Sequence, residues 1–235
     1  MRTFKLITLI IALLFISKVF SQTENPDKIK FIPIHHGTFV IETSGPVIYV
    51  DPVGDLKLFE KFPSPDIILI THTHGDHLDT NVVNYLKTKE TTIIEPKSVY
   101  DILGDGRVLN NGENTVVKNV EIEAIPMYNT TKERLERHPK GKGNGYVITA
   151  DGKRIYISGD TEDIKEMREL KNIDFAFVCM LIPYTMSVEQ AASAVLEFKP
   201  KVVYPYHYRD SDVKKFKELV SVNKDIEVRL LDWYK

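Results

Sequence analysis

An unbroken apolar run, Ile67-Ile68-Leu69-Ile70, passes directly into Thr71-His72-Thr73-His74-Gly75-Asp76-His77-Leu78-Asp79. The run is short, β-branched and preceded by Pro63 and Pro65, which predicts a buried strand. Side chains alternate along a strand, so His72 and His74 point to the same side as it ends, and Asp76 and His77 come next on the exit loop. Three of the seven histidines and one carboxylate therefore crowd a single strand exit. A merely solvated polar loop has no need of that density. Held on the rim of a rigid sheet, four donors of borderline softness suit zinc or a similar transition metal.

The surrounding sequence alternates strand and helix patterns. Segments 31–35, 38–42 and 47–50 read as strands separated by the turn chemistry of His36-Gly37 and Ser44-Gly45-Pro46. Val82, Val83 and Leu86 form a helical stripe, capped by Asp79 or Thr80. Further strands are expected at 92–94 and 120–125, joined by a turn-rich stretch at 104–113. Segments 146–149 and 154–157 flank Asp151-Gly152, a strong hairpin signal. A helix is expected after Thr161, with Glu162 and Asp163 in its first turn, where acidic side chains complement the helix dipole. Segment 175–181 reads as a buried strand. Ser187-x-x-Gln190 is a capping box for a helix that buries Val188, Ala191, Ala192, Val195 and Leu196 on one face and stops at Pro200. Segment 202–204 returns as a strand, before a last helix and strand. This mixture is α/β or α+β, without an internal repeat or an interdomain linker.

Residues 1–21 read as a secretory signal peptide: Arg2 and Lys5 make a basic start, 6–16 is apolar, and Val19-Phe20-Ser21 occupies the cleavage positions. The apolar run is too short to span a bilayer comfortably, so no stable membrane anchor is expected. The mature chain is then exported, periplasmic or secreted, cut near Ser21, with 22–235 as one sizeable domain. Setting aside Arg2, Lys5 and Lys18 leaves 33 acidic residues against about 28 basic ones, with no basic patch, which argues against a nucleic-acid partner. Cys179 is the single cysteine and cannot close an internal disulfide; within the apolar segment 175–180 it reads as a buried, inert thiol.

The His-x-His-x-Asp-His spacing of 72–77 resembles the motif of the metallo-β-lactamase superfamily. That resemblance implies a four-layer αββα sandwich, with two facing sheets, helices on both outer sides and a metal site along one edge between the sheets. It also implies a third histidine, a bridging aspartate and a last histidine, in that order. Gly159-Asp160-Thr161, beyond strand 154–157, resembles the bridging segment, although Asp160 alone would read as a helix cap. His207, between Tyr206 and Tyr208, resembles the last histidine. Many relatives carry the third histidine at the end of the strand matched here by 121–126, where this chain has Met127-Tyr128-Asn129. The candidate is instead His138 in Arg137-His138-Pro139-Lys140-Gly141. With Gly145-Tyr146-Val147-Ile148 downstream, the arrangement is similar to the ascorbate-6-phosphate lactonase-like hydrolases. Asp51, in Tyr49-Val50-Asp51-Pro52, resembles an aspartate that orients a ligand imidazole. His35 and His36 either line the site's mouth or serve structure. Tyr184-Thr185-Met186 either borders the pocket or is a plain loop.

The resemblance assigns His72, His74 and His138 to one divalent ion, Asp76, His77 and His207 to a second, and Asp160 to both. Zinc is the default, and Mn2+ or Fe2+ is compatible with mixed His/Asp ligation. Two such ions can hold a shared hydroxide at neutral pH and polarise a carbonyl or phosphoryl oxygen, with Asp76 orienting the hydroxide or passing a proton. The expected function is an exported metal-dependent hydrolase acting on an ester, lactone or phosphodiester bond of a small-molecule substrate. One alternative is a β-lactamase, disfavoured because Asp160 stands where many such enzymes use cysteine. The other is a catalytically inactive metal-binding protein of the same fold. Neither the natural substrate nor the oligomeric state follows from the sequence.

Overall fold

In the computed structural model, which describes residues 29–234, the β-branched segments pair into two sheets. The expected signal peptide, residues 1–21, lies outside the described residues. The first sheet runs in chain order through β1 (Lys30–His35), β2 (Thr38–Glu42), β3 (Val47–Val50), β4 (Ile67–Leu69), β5 (Thr92–Glu95) and β6 (Arg107–Val108). The second contains β7 (Asn114–Val117), β8 (Val120–Met127), β9 (Gly143–Ala150), β10 (Lys153–Ile157), β11 (Phe175–Cys179), β12 (Val202–Tyr206) and β13 (Glu227–Val228), again in chain order from edge to edge. Each sheet begins with antiparallel hairpins and continues with parallel strands, the change falling at β3 and at β10.

Side-chain alternation sorts the core into layers. From the first sheet, Phe39, Ile41, Ile48, Val50, Ile67, Leu69 and Ile94 pack toward the second sheet. Val40, Tyr49, Ile68 and Ile93 pack the other way, onto Val82, Val83 and Leu86 of α1 (Thr80–Leu86) and Val99 of α2 (Lys97–Leu103). Phe39 stacks on Phe177 across the interface at 4.5 Å. The outer face of the second sheet is covered by α3 (Lys165–Arg168), α4 (Val188–Phe198) and α5 (Val213–Val220), with Tyr156 meeting Phe198 edge-on at 6.0 Å. The result is the four-layer αββα sandwich. Each fully buried Ile, Val or Phe in it contributes about 1.5–3 kcal/mol.

Local chemistry explains most element boundaries. Asp79, not Thr80, caps α1 by accepting from the backbone of Asn81 and Val82. The Ser187–Gln190 capping box opens α4, and Lys199 turns left-handed just before Pro200. Asp151 and Gly152 form the β9–β10 turn with φ of 49° and 71°. The helix expected directly after Thr161 begins only at Lys165; Glu162 and Asp163 lie outside its first turn, whose acidic residue is Glu166. Glu162 is instead drawn toward a distant loop, described below. The strand expected over 175–181 ends at Cys179. Neither α2 nor the edge strand β7 was legible, because α2 buries only Val99 and has no side-chain cap.

Candidate metal centre

The chain leaves the sheets at one common edge: His36 follows β1, Asp51 follows β3, His72 to His77 follow β4, Asp160 follows β10 and His207 follows β12. All seven side chains expected to hold metal are brought together there, with Asp51 beneath them. His72, His74 and His138 each present an atom within 4.8 Å of the others. The same holds for His72, His77 and Asp160, and for His36, Asp76 and His207.

Asp51 is fully buried and organises the floor. Its Oδ1 accepts the Thr71 backbone N–H at 2.7 Å, and its Oδ2 accepts the Thr71 hydroxyl at 2.7 Å. Oδ2 also lies 2.7 Å from His77 Nδ1. A carboxylate there accepts a hydrogen bond from Nδ1–H, which keeps the proton on Nδ1 and leaves the Nε2 lone pair free, 3.5 Å from Asp160 Oδ1. The Thr71 hydroxyl, having given its proton to Asp51, can accept from His72 Nδ1 at 2.9 Å. That frees His72 Nε2, 3.0 Å from His74 Nδ1. One buried carboxylate thus sets two imidazoles, directly and through one hydroxyl.

The electrostatics divide the histidines. Burial lowers the pKa of His72 and of His74, keeping both as neutral donors. Burial acts on His77 in the same direction, but Asp160 and Asp51 outweigh it and raise the group to about 9. Two carboxylates are therefore poised to balance a positive charge at this spot. Burial disfavours ionised Asp160, yet the imidazoles around it, His207 foremost, hold it well below the ordinary carboxylate range. Asp76 is held low by His207 and His36.

Asp160 Oδ2 faces His138 Nε2 at 3.4 Å, while Oδ1 faces His77 Nε2 at 3.5 Å and His207 Nδ1 at 3.6 Å. His207 Nε2 in turn lies 3.4 Å from Asp76 Oδ2. Among these atoms, His77 Nε2, His138 Nε2, Asp160 Oδ1 and His207 Nδ1 are buried without a hydrogen-bond partner. Such orphaned groups are costly unless something else satisfies them. Imidazole nitrogens and a carboxylate oxygen converging this way are a donor set fitted to a divalent cation.

His138 reaches the centre from the loop between β8 and β9 rather than from a strand end. The loop is clamped by buried Glu162, whose Oε2 accepts from the backbone of Thr130 and Thr131 at 2.7 Å each and from the Thr130 hydroxyl at 2.8 Å. Arg134 Nη2 lies 2.7 Å from its Oε1. Asn129 closes the loop, donating its N–H to the His138 carbonyl at 2.9 Å and its side-chain amide to the Arg134 and Tyr184 carbonyls. Tyr184 also lines the mouth, while Thr185 and Met186 are buried and do not.

His36 belongs to the centre and His35 does not: His35 is exposed, whereas His36 is buried with Nε2 3.3 Å from Asp76 Oδ2 and its ring 3.7 Å from that of His207. Its Nδ1 lies 2.8 Å from the Tyr234 hydroxyl. The sequence signal was Gly37, whose φ is not left-handed. A Cβ at Gly37 would lie 2.9 Å from His77 Cε1 and 3.3 Å from His207 Cδ2. That glycine is present for space. His36, Asp51 and His207 themselves adopt left-handed φ of 54°, 44° and 48°. Such backbone costs about 1–3 kcal/mol per residue and persists only where surrounding contacts enforce it. A cavity of about 570 Å³ opens over the centre, lined by His74, Asp76, His138, Asp160 and His207 and walled by Arg137, Leu181, Tyr184 and Arg209. Cys179 lies apart as a neutral thiol, pushed up to about 12 by burial.

Known proteins share this fold. Residues 29–207 match the family model described as the beta-lactamase superfamily domain. A metal-dependent hydrolase of the UPF0173 group from Pyrococcus abyssi is 31% identical over 215 residues, covering 82% of this chain and 92% of the relative. A solved structure from Parabacteroides distasonis is 44% identical, with a TM-score of 0.81 over 86% of this chain and 92% of the other. Igni18, described as a novel metallo hydrolase from Ignicoccus hospitalis, is 26% identical, with a TM-score of 0.74 over 88% and 96%.

Proposed function

The chain belongs to the metallo-β-lactamase superfamily and is a metal-dependent hydrolase, and from that premise we propose that it is exported and cleaves an ester, lactone or phosphodiester bond in a small molecule with two divalent ions, zinc by default. The observation that carries the two-ion reading is the division of Asp160, whose two oxygens face different groups of imidazoles at 3.4 to 3.6 Å. His72, His74 and His138 would hold one ion, Asp76, His77 and His207 the other, with Asp160 shared. When bound, such ions lower the pKa of water and polarise the oxygen of the target bond.

The protein's own groups complete the chemistry. Asp51 keeps the Nδ1 proton on His77 and, through Thr71, on His72, so both rings present Nε2 inward. Asp76 is exposed on the cavity side, as His74 is, and His207 and His36 keep it ionised. It is placed to accept a proton from attacking water and hand it to the leaving group. Asp160 in place of a cysteine supports lactone and phosphodiester substrates over β-lactams. Export rests on the basic start and apolar core of residues 1–21, with aliphatic Val19 and small Ser21 at the junction.

Purified protein should contain about two divalent ions per chain by elemental analysis, and the loaded sample should hydrolyse lactones or phosphodiesters in a panel that also holds β-lactams. Metal without turnover on any member would overturn the catalytic part. Turnover confined to β-lactams would overturn the substrate part.

A further inference from the structure

The charges at the cavity mouth bear on what the substrate carries, an inference that rests on the hydrolase reading above. Arg134, Arg168 and Arg229 are each committed to a carboxylate within 2.7 Å. Arg137 and Arg209 are not. Both are exposed, both wall the cavity over the candidate centre, and no ion pair among the described residues reaches either. Glu136 lies in the same wall without pairing to them.

Arg137 is held through its side chain and Arg209 through its backbone, and neither contact uses a guanidinium N–H. The Arg137 guanidinium sits over the Tyr184 ring at 4.7 Å from its centroid. Stacking on an aromatic face fixes a guanidinium while its edge donors stay free. Arg209 is fixed through its backbone: its N–H donates to the Tyr234 hydroxyl at 2.7 Å, and its φ is a left-handed 41°. Planar guanidinium forks without a protein acceptor match carboxylates and phosphates, which they bind with two parallel hydrogen bonds. The carboxylates of the centre, Asp76 and Asp160, are engaged by imidazoles and not by these arginines. We propose that Arg137 and Arg209 form an oxyanion subsite at the mouth, so that the substrate carries a carboxylate or phosphate group separate from the bond that is cleaved.

The test compares metal-loaded wild type with R137Q, R209Q and the double variant, all at exposed positions. Calorimetry measures affinity for succinate and phosphoglycolate, which pair a carboxylate for the centre with a second anionic group, and for acetate, which lacks the second group. Wild type is expected to bind one or both doubly functional anions more tightly than acetate. Each single variant should reduce that advantage about tenfold, and the double variant should abolish it. The anion that loses its advantage identifies the preferred group as planar or tetrahedral. An advantage unchanged in the double variant, or absent from wild type, overturns the subsite. The second readout is the ratio of turnover on an ester bearing a pendant carboxylate or phosphate to turnover on its uncharged twin, which should collapse in the double variant. If no ester is hydrolysed but anion affinity still falls in the variants, the hydrolase reading has failed and the subsite stands. If both esters are hydrolysed equally and anion affinity does not respond, the subsite has failed and the hydrolase reading stands.

Discussion

His138 Nε2 lies 3.4 Å from Asp160 Oδ2, and the other oxygen of that carboxylate is turned toward His77 and His207. Asp160→Asn therefore distinguishes a shared ligand from a simple cap. The amide matches the carboxylate in size, but one of its two faces becomes an N–H donor aimed at nitrogen lone pairs. Metal affinity is expected to fall by more than about 100-fold, beyond the 10- to 100-fold typical of groups that only orient a ligand. Chelator competition reads this directly. Two ions retained at wild-type affinity would show that Asp160 holds neither.

Gly37→Ala tests whether the turn after β1 is spare or fitted. The added methyl would sit 2.9 Å from His77 Cε1, closer than carbon atoms pack, and both neighbouring rings are buried. Either ring must yield, and overpacking of this kind costs about 1–3 kcal/mol. The expected outcome is reduced metal content with the sheets intact, seen as lost stoichiometry and an unchanged far-ultraviolet circular dichroism spectrum. Wild-type stoichiometry would mean the turn has slack.

The contrast between His77 and His36 shows why only part of the centre could be read in advance. His72, His74, Asp76 and His77 are legible because they crowd six positions at one strand exit. The strands around them are legible because short apolar, β-branched runs are bounded by turn residues. His138, Asp160 and His207 needed the family resemblance, since each is an ordinary residue in its own local context. His36 has no periodic or compositional mark; it joins the centre because the ends of β1 and β12 meet, with the His207 N–H donating to the His36 carbonyl at 3.3 Å. Glu162 was misplaced for a related reason. After Thr161 an acidic residue fits a helix start, but its carboxylate is taken by Thr130, Thr131 and Arg134, some thirty residues earlier. Local pattern does not reveal a partner at that separation.

That long-range clamp yields its own test. Glu162→Ala leaves Arg134 and three hydrogen-bond donors facing an empty, buried position. Breaking a buried ion pair from one side costs about 3–5 kcal/mol, which for a chain of this size lowers Tm by roughly 6–20 °C. Because the clamp holds the loop that delivers His138, the ion assigned to His72, His74 and His138 should be lost first. Metal titration is then expected to show one tight equivalent where wild type shows two. Equal weakening of both equivalents would mean the loop does not act through His138.

Glu95 sets the pH dependence of stability away from the centre. It ends β5 with no solvent exposure, and neither of its oxygens has a hydrogen-bond partner. Gly106 leaves it just enough room, since a Cβ there would lie 2.7 Å from Oε1. Burial, reinforced by Asp105, pushes its pKa from 4.5 up to about 8. Below 4.5 the acid is protonated whether the chain is folded or not, and it imposes no pH slope. As pH rises from there, the unfolded chain releases the proton while the folded chain retains it, so stability falls until about pH 8 and levels off above. The slope should be about 1 kcal/mol per pH unit, somewhat under the ideal value because the strand lies one position from the sheet edge. Glu95→Gln is neutral throughout and removes this slope. Urea unfolding at pH 5, 6, 7 and 8 should therefore show the variant gaining on wild type at each step. Parallel curves would mean that Glu95 is ionised in the folded protein and that its oxygens have acceptable partners after all.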